Sequence, residues 1–341
     1  MNFKYSFMLL AAVAMLAACA VKSTTEGTKP TEARSGLWGM NKADDLAVDN
    51  AKAFAGKNQV IIGSFKIGFL ESKKDSAKAG SGMGGKSTAK TELTGVTPEI
   101  FRAVTNAAYA DFVAKLQSSG YTVVDNAAFL ASADYASLQG SPNPTTEEAS
   151  FFGATHDITF VAPDRFRDIK FFMGEAGKGT GLSAIGNNPY VAAVKYAKSS
   201  GTPVISVYYT IDYVNAEGSS SSYALTSSIS VGQGISTTIG SGVMFIGGEA
   251  GGTFGPNPNG SIKLGQGIGS DQKFGELVTT STGAGVAAET ALNLMTAVLG
   301  GGTNQTRSYE IKADPVAYQT VATAVVQQTN AALIGKMASM K

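Results

Sequence analysis

In 204–214 and again in 225–245 the chain alternates apolar with mostly small polar residues at a period of two, a pattern that only extended strands can bury on one side. In 204–214, Ile205, Val207, Tyr209, Ile211 and Tyr213 point one way, and Ser206, Thr210 and Asp212 the other. From 225 to 245, Leu225, Ile229, Val231, Ile235, Ile239, Val243 and Phe245 hold odd positions, while the even ones are mostly Ser, Thr and Gly. A weaker alternation runs through 261–282 with Ile262, Leu264, Ile268 and Leu277, and Asn257-Pro258-Asn259-Gly260 supplies turn residues between the two. Residues 218–302 hold 20 of the 41 glycines, and the stretch reads as a glycine-rich β-hairpin or meander.

Helices are announced by proline. Thr97-Pro98-Glu99 opens a run in which Phe101, Val104, Ala108, Phe112 and Leu116 recur at helical spacing, and Gly120 closes it. Asn188-Pro189 starts a helix stopped by Gly201, and Asp314-Pro315 starts a long C-terminal one with Tyr318, Val321, Val325, Leu333 and Met337. A strand is expected at 59–70, with Ile61, Phe65, Ile67 and Phe69 on one buried face and Ser64 and Lys66 opposite; a short strand follows at 121–125, and 126–138 suggests a second helix. Strands interleaved with helices give an α/β (α+β) class, a mixed sheet with flanking helices plus the glycine-rich excursion.

The chain starts with Lys4 and an apolar run of 14 residues from Tyr5 to Ala18, closed by Leu16-Ala17-Ala18-Cys19, which reads as a secretory signal peptide. Fourteen helical residues rise about 21 Å, short of the roughly 30 Å of bilayer hydrocarbon. The only cysteine follows Leu-Ala-Ala, and this resembles the lipobox of bacterial lipoproteins, where the thiol of Cys19 is acylated and the preceding peptide removed. Ala20 in place of aspartate implies, by the same resemblance, the outer membrane. No later segment offers 18 consecutive apolar residues. Removing 1–18 takes away only Lys4, leaving 26 basic and 26 acidic side chains, a balance that argues against a nucleic-acid partner.

The organisation expected is a signal peptide at 1–18, a lipidated tether at 19–36, an α/β periplasmic domain from 37 to 217, the β excursion at 218–302, and a closing strand and helix at 303–341. The tether reading rests on Ser, Thr, Gly and Lys without apolar periodicity.

Chemical motifs are sparse. Gly80 to Ser87 spells the phosphate-loop pattern, but a charged run at 71–78 stands where a buried strand should enter, and no helix leaves it, so a flexible loop is expected. His156, the only histidine, stands beside Asp157 without a matching nucleophile or further metal ligands and reads as a structural pair. Glu147-Glu148 after Thr145-Thr146 suggest the first turn of a helix. No G-x-S-x-G elbow with a downstream histidine occurs, so no enzyme activity, cofactor or metal is expected. The greasy face of 225–245 leaves two readings open: strands packed on a helix inside a soluble domain, or a hairpin facing lipid, which would need several copies to close a barrel.

A lipobox cysteine, a strand like Val60-Ile61-Ile62-Gly63-Ser64-Phe65, a helix ending in Ser119-Gly120-Tyr121-Thr122-Val123-Val124-Asp125, a glycine-rich excursion and a C-terminal helix together are similar to the curli-secretion channel (CsgG-like) lipoproteins. The resemblance implies a periplasmic α/β domain that assembles as a ring and inserts hairpins to form a protein-conducting pore. The chain departs from that pattern at 71–96 and 139–187. The expectation is a lipid-anchored protein on the periplasmic face of the outer membrane, contacting other envelope proteins and homo-oligomeric, in secretion or surface assembly. The alternatives are a monomeric periplasmic interaction module and, third, a nucleotide-using enzyme.

Overall fold

A computed structural model describes residues 19–35, 41–79, 85–151, 154–173, 175, 188–221, 226–249, 257–298 and 304–341. Strands β1 (Cys19–Gly27), β2 (Arg34–Ser35), β3 (Asn41–Lys42) and β4 (Leu46–Asp49) lead through a turn of 3-10 helix into β5 (Gln59–Leu70). Next come β6 (Ser72–Lys78), β7 (Lys86–Thr94), helix α1 (Pro98–Ser118), β8 (Thr122–Val124), α2 (Ala127–Leu130), α3 (Ala133–Ala136), β9 (Thr145–Phe151) and β10 (Ala154–Val161). The chain continues with α4 (Pro189–Ser200), β11 (Val204–Ser221), β12 (Thr226–Thr237), β13 (Gly242–Ile246), β14 (Asn259–Leu264), β15 (Ile268–Ser270), β16 (Gly275–Thr279), α5 (Gly283–Val298), β17 (Asn304–Ala313) and α6 (Pro315–Ser339). The expected α+β class holds.

The proline signals mark real helix starts. Asn188 Oδ1 accepts from Tyr190 N at 2.9 Å and Asp314 Oδ1 from Ala317 N at 2.8 Å, each satisfying a backbone donor that the first turn leaves open. Gly120 and Gly201 end α1 and α4 at φ +81° and +69°, where a side chain would be strained. The second helix expected at 126–138 is instead two single turns, α2 and α3.

Eleven strands form one mixed sheet along the path β4-β14-β13-β11-β5-β10-β9, with β8 beside the start of β5 and β12 beside the far half of β11, carrying β1 and β15. Strand β5 runs parallel to both β8 and β11, the connections that demand crossover helices. One face is covered by α1 and α6, with Phe65, Tyr109, Phe112 and Tyr209 meeting edge to face at 5.5–5.7 Å around Phe65. On the other face Phe129, Tyr135 and Phe172 close over Ile61, Val204 and Ile246 together with the alanines of α4. The sheet is therefore buried on both sides over β5, which corrects the expectation of one buried face. Register also corrects the parity. Ile62 pairs with Ile205 but Ser64 with Ser206, so Gly63 is an inserted residue, and Ile61 lies in the opposite cluster from Phe65, Ile67 and Phe69. A Cβ at Gly63 would come within 2.4 Å of Val204 and 2.8 Å of Phe129.

A second, four-stranded sheet, β16-β17-β7-β6, packs on the far half of β11 and β12 and on β1. Ser87 Oγ donates to Ser227 O at 3.0 Å, Tyr213 OH to Thr91 Oγ1 at 3.2 Å, and Val21 N to Gln305 Oε1 at 2.8 Å across the interface. The charged run at 71–78 thus belongs to a strand and not to a solvated loop. Lys74 and Lys78 alternate with residues turned inward, Lys73 among them, which a reading of charge density alone misses.

Two expected segments change meaning. The stretch read as a tether starts with β1, paired in parallel to β12 from Cys19 opposite Ser227 onward. The part after it is held as well: Asn215 Nδ2 donates to Thr28 O at 2.5 Å, and Gln266 bonds Ala33 N, Ala33 O and Ala43 O. Low apolar periodicity did not mean freedom, because these bonds run through backbone groups that any residue carries. The glycine-rich 218–302 is not a separate excursion either. Strands β12 to β15 complete the large sheet, β16 edges the small one, and α5 is a helix the sequence did not announce.

Candidate functional site

The described chain starts at Cys19, the first residue of a sheet strand; Leu16, Ala17 and Ala18 lie outside the described residues. Its strand partner Ser227 is bonded to Ser87, and Ser87 sits beside Gln305, which receives Val21 N. Cys19, Lys78, Lys86, Ser221, Thr226 and Asn304 therefore gather at one end of the molecule.

Of the seven residues proposed to face lipid, five are placed in the core. Ile229, Val231, Ile235, Val243 and Phe245 are buried in the main core, where β12 packs under α6. Ile239 stands in the connection between β12 and β13, 41% exposed, and Leu225 lies outside the described residues. In the folded chain the alternation serves an internal sheet. Period two reports that one face is apolar but not what covers it.

Ser206, on the face opposite α1, contributes to a fully enclosed polar group. Lys66, 1% exposed, donates through Nζ to Glu175 Oε2 at 2.7 Å and to Ser64 Oγ at 2.8 Å. Ser206 Oγ donates to Glu175 Oε1 at 2.9 Å and Phe172 N to Oε2 at 2.7 Å, with the Phe171 and Phe172 rings 6.0 and 5.4 Å from the ammonium. Burial pulls the Lys66 pKa down, and Glu175 opposes it. A serine beside a lysine can carry nucleophilic chemistry when the lysine is neutral. Here the carboxylate holds the ammonium, and the rings close the approach, so the group fastens Phe172 and Glu175 to the sheet. Its sequence signal was Lys66 in an otherwise apolar strand; Glu175 gave none.

A second polar cluster lies between the two sheets. Lys73 Nζ donates to Asp212 Oδ2 at 2.6 Å and to Val214 O at 3.3 Å, with Asp75 Oδ1 at 3.6 Å. Burial acts to lower the Lys73 pKa, and Asp212 with Asp75 outweighs it and holds it above the usual value. Asp75 is pushed up by burial and by Asp212, against the pull of Lys73 and of nearby His156. Asp157, expected to pair with His156, instead accepts from Ser72 Oγ at 2.7 Å, since neighbours on a strand face opposite ways. Glu147 and Glu148 lie in β9, not in a helix. No group of three or more His, Cys, Asp or Glu among the described residues is arranged to hold a metal ion.

The phosphate-loop letters hold no cradle in the part described: Lys86 starts β7 and the Ser87 hydroxyl is spent on Ser227, while 80–84 lie outside the described residues. A cavity of about 210 Å³ opens beside Tyr109, Asp125, Asn126 and Arg165, but Arg165 is already engaged, donating to Tyr109 OH, Asp125 Oδ1 and Asn126 Oδ1 at 2.5–3.0 Å.

The most unusual contact at the Cys19 end is made by α5. Strand β16 pairs only with 309–313 of β17; the segment after it meets Ser308 through Thr280 N and Ser281 Oγ, and α5 side chains take the place of a strand along 304–307. Ser308 N donates to Ser281 Oγ at 2.8 Å, Thr306 N to Glu289 Oε1 at 2.5 Å and Asn304 N to Asn293 Oδ1 at 2.8 Å, while Asn293 Nδ2 donates to Asn304 O. Arg307 closes the set on Glu289 Oε2 at 2.6 Å. Away from β17, the helix exposes Ala284, Ala287, Ala288 and Leu292, the last 64% exposed. No helix among the described residues is long and apolar enough to cross a membrane.

No family model matches the chain, and neither a curated protein nor a solved structure does.

Proposed function

We propose that this chain is a lipid-anchored protein of the bacterial outer membrane, facing the periplasm, that acts without chemistry of its own through contacts with other envelope proteins in secretion or surface-structure assembly. The observation that carries the reading is Leu16-Ala17-Ala18-Cys19 at the end of an apolar run behind Lys4. Supporting it, the Lys66–Glu175 pair is enclosed and its carboxylate fully engaged.

Two forms of this function differ in what the strands do. A homo-oligomeric, CsgG-like channel requires strands 225–245 to leave the core they fill. A module that keeps them folded requires nothing further, and the burial of Ile229, Val231, Ile235, Val243 and Phe245 favours it. Removing five such side chains from the core would cost about 1.5–3 kcal/mol each before lipid contacts offset it.

Mass spectrometry of the N-terminal peptide tests the anchor: an acylated Cys19 is expected, and Cys19→Ser should release the protein from the membrane fraction. A full-length, unmodified product in the cytosol overturns the reading. Size in mild detergent separates the two forms, a ring with pore conductance supporting the channel and a monomer the module.

A further inference from the structure

The outer face of the small sheet carries an arrangement that the fold does not explain. Lys74, Lys78, Lys86 and Lys90 are exposed, alternate with inward-facing residues, and sit directly opposite one another in register, Lys74 with Lys90 and Lys78 with Lys86. Like charges directly across a strand pair repel at Cβ separations of about 5 Å. Among the described residues none of the four makes an ion pair. The acids of the same face stand toward the other end: Glu92 and Glu310 at the level of Ser72, and Glu276 beyond them. In a chain whose mature part is balanced in charge, the four lysines are therefore a local excess.

Their position says what meets them. Lys86 adjoins Ser87, whose hydroxyl is bonded to Ser227, the strand partner of Cys19. Because Cys19 opens β1 with no slack between it and the sheet, acyl chains on its thiol would hold this end of the sandwich against the membrane surface. We infer that the lysine face of β6 and β7 docks on the anionic phosphate headgroups of the phospholipid membrane that carries the anchor. The inference rests on the lipid-anchored reading and adds to it a fixed orientation. Each ammonium near a negatively charged surface contributes about fivefold to the partition, less at high salt. Lys22 on β1, exposed and three residues from the anchor, extends the same field.

Amine labelling read by mass spectrometry tests this on the purified full chain, reconstituted in vesicles of phosphatidylcholine with or without one-third phosphatidylglycerol. Lys195 on α4, remote from this end, is the reference. In anionic vesicles, labelling of Lys74, Lys78, Lys86 and Lys90 is expected to fall at least threefold relative to neutral vesicles, and to recover at high salt. In the Lys78→Gln/Lys86→Gln variant, protection of Lys74 and Lys90 should weaken. Equal labelling in both vesicles overturns the inference. So does protection already present in detergent without lipid, which would mean a protein cover, or protection reproduced by dissolved inorganic phosphate. The mass of the Cys19 peptide from the same sample keeps the two readings apart. An acylated cysteine with unprotected lysines sinks the docking face alone, and an unmodified cysteine sinks the anchor.

Discussion

The two sheets of this protein solve the problem of burial in opposite ways. The eleven-stranded sheet is covered on both faces over β5 by helices and aromatic side chains, and there its charge is enclosed, as Lys66 and Glu175 are. The four-stranded sheet has one face against its larger neighbour and one against solvent; its inward side meets the main sheet through Lys73, Asp212, Ser87 and Thr91, and its outward side is rich in lysine. The large sheet is a scaffold held by apolar area. The small one joins that core through Ala89, Leu93, Tyr309 and Ile311, adds polar bonds at its seam, and offers charge outside.

The largest expected blow to this contrast is to the scaffold. Glu175→Ala leaves the Lys66 ammonium buried without its carboxylate and should cost about 3–5 kcal/mol in denaturant unfolding. A loss below about 1 kcal/mol would mean that the enclosed pair is not what fastens Phe172 to the sheet. Tyr318 offers a change of opposite sign: its hydroxyl is buried with no bonding partner among the described residues, so Tyr318→Phe should stabilise by about 1–2 kcal/mol.

The seam between the sheets predicts a pH dependence. Burial raises the Asp75 pKa above its unfolded value, Asp212 adds to the rise, and Lys73 and His156 oppose it. The stability that protonated Asp75 contributes is then complete below the unfolded pKa, about 3.9, and is lost as pH climbs through the raised folded value. Asp75→Asn should therefore gain on the parent chain from acid toward neutral pH in paired denaturation curves, and a constant difference across that range would remove Asp75 from the account.

Smaller effects belong to the edge and the outer face. Glu289→Ala takes the acceptor from Thr306 N and the partner from Arg307, so amide exchange at Thr306 should quicken about tenfold with little change in global stability. Lys90→Glu turns a like-charge pair with Lys74 into an opposite one and should stabilise by about 0.2–1 kcal/mol while weakening adsorption to anionic vesicles. Gains in both would show that the lysines are not kept for binding.

Much of the scaffold was legible in the chain because its signals are local. Pro98, Pro189 and Pro315 mark helix starts, and the buried stripe of α1, Phe101 to Leu116, is the one its spacing predicts. What escaped was set by distant partners. Nothing near Glu175 points to Lys66, 109 positions earlier in the chain. Gly63 flips the parity of β5 only because Val204 and Phe129 lie against it, and β1 is a strand only because β12 has an edge to receive it. The charged run at 71–78 shows lysine without register; its pairing with Lys86 and Lys90 of β7, invisible without the hairpin, is what makes a surface. Helix α5, with small residues and a single charge, carries too little contrast between its faces to be recognised by period.

Under the anchoring proposed above, that helix has a consequence for crowding between copies. A bare stretch of five strand residues beside Cys19 would invite the same stretch of a neighbouring molecule, and identical copies concentrated on a two-dimensional film could zip edge to edge into fibrils. With Ser281, Glu289 and Asn293 already sitting on those backbone groups, any association between copies has to recruit side chains elsewhere and can stay finite.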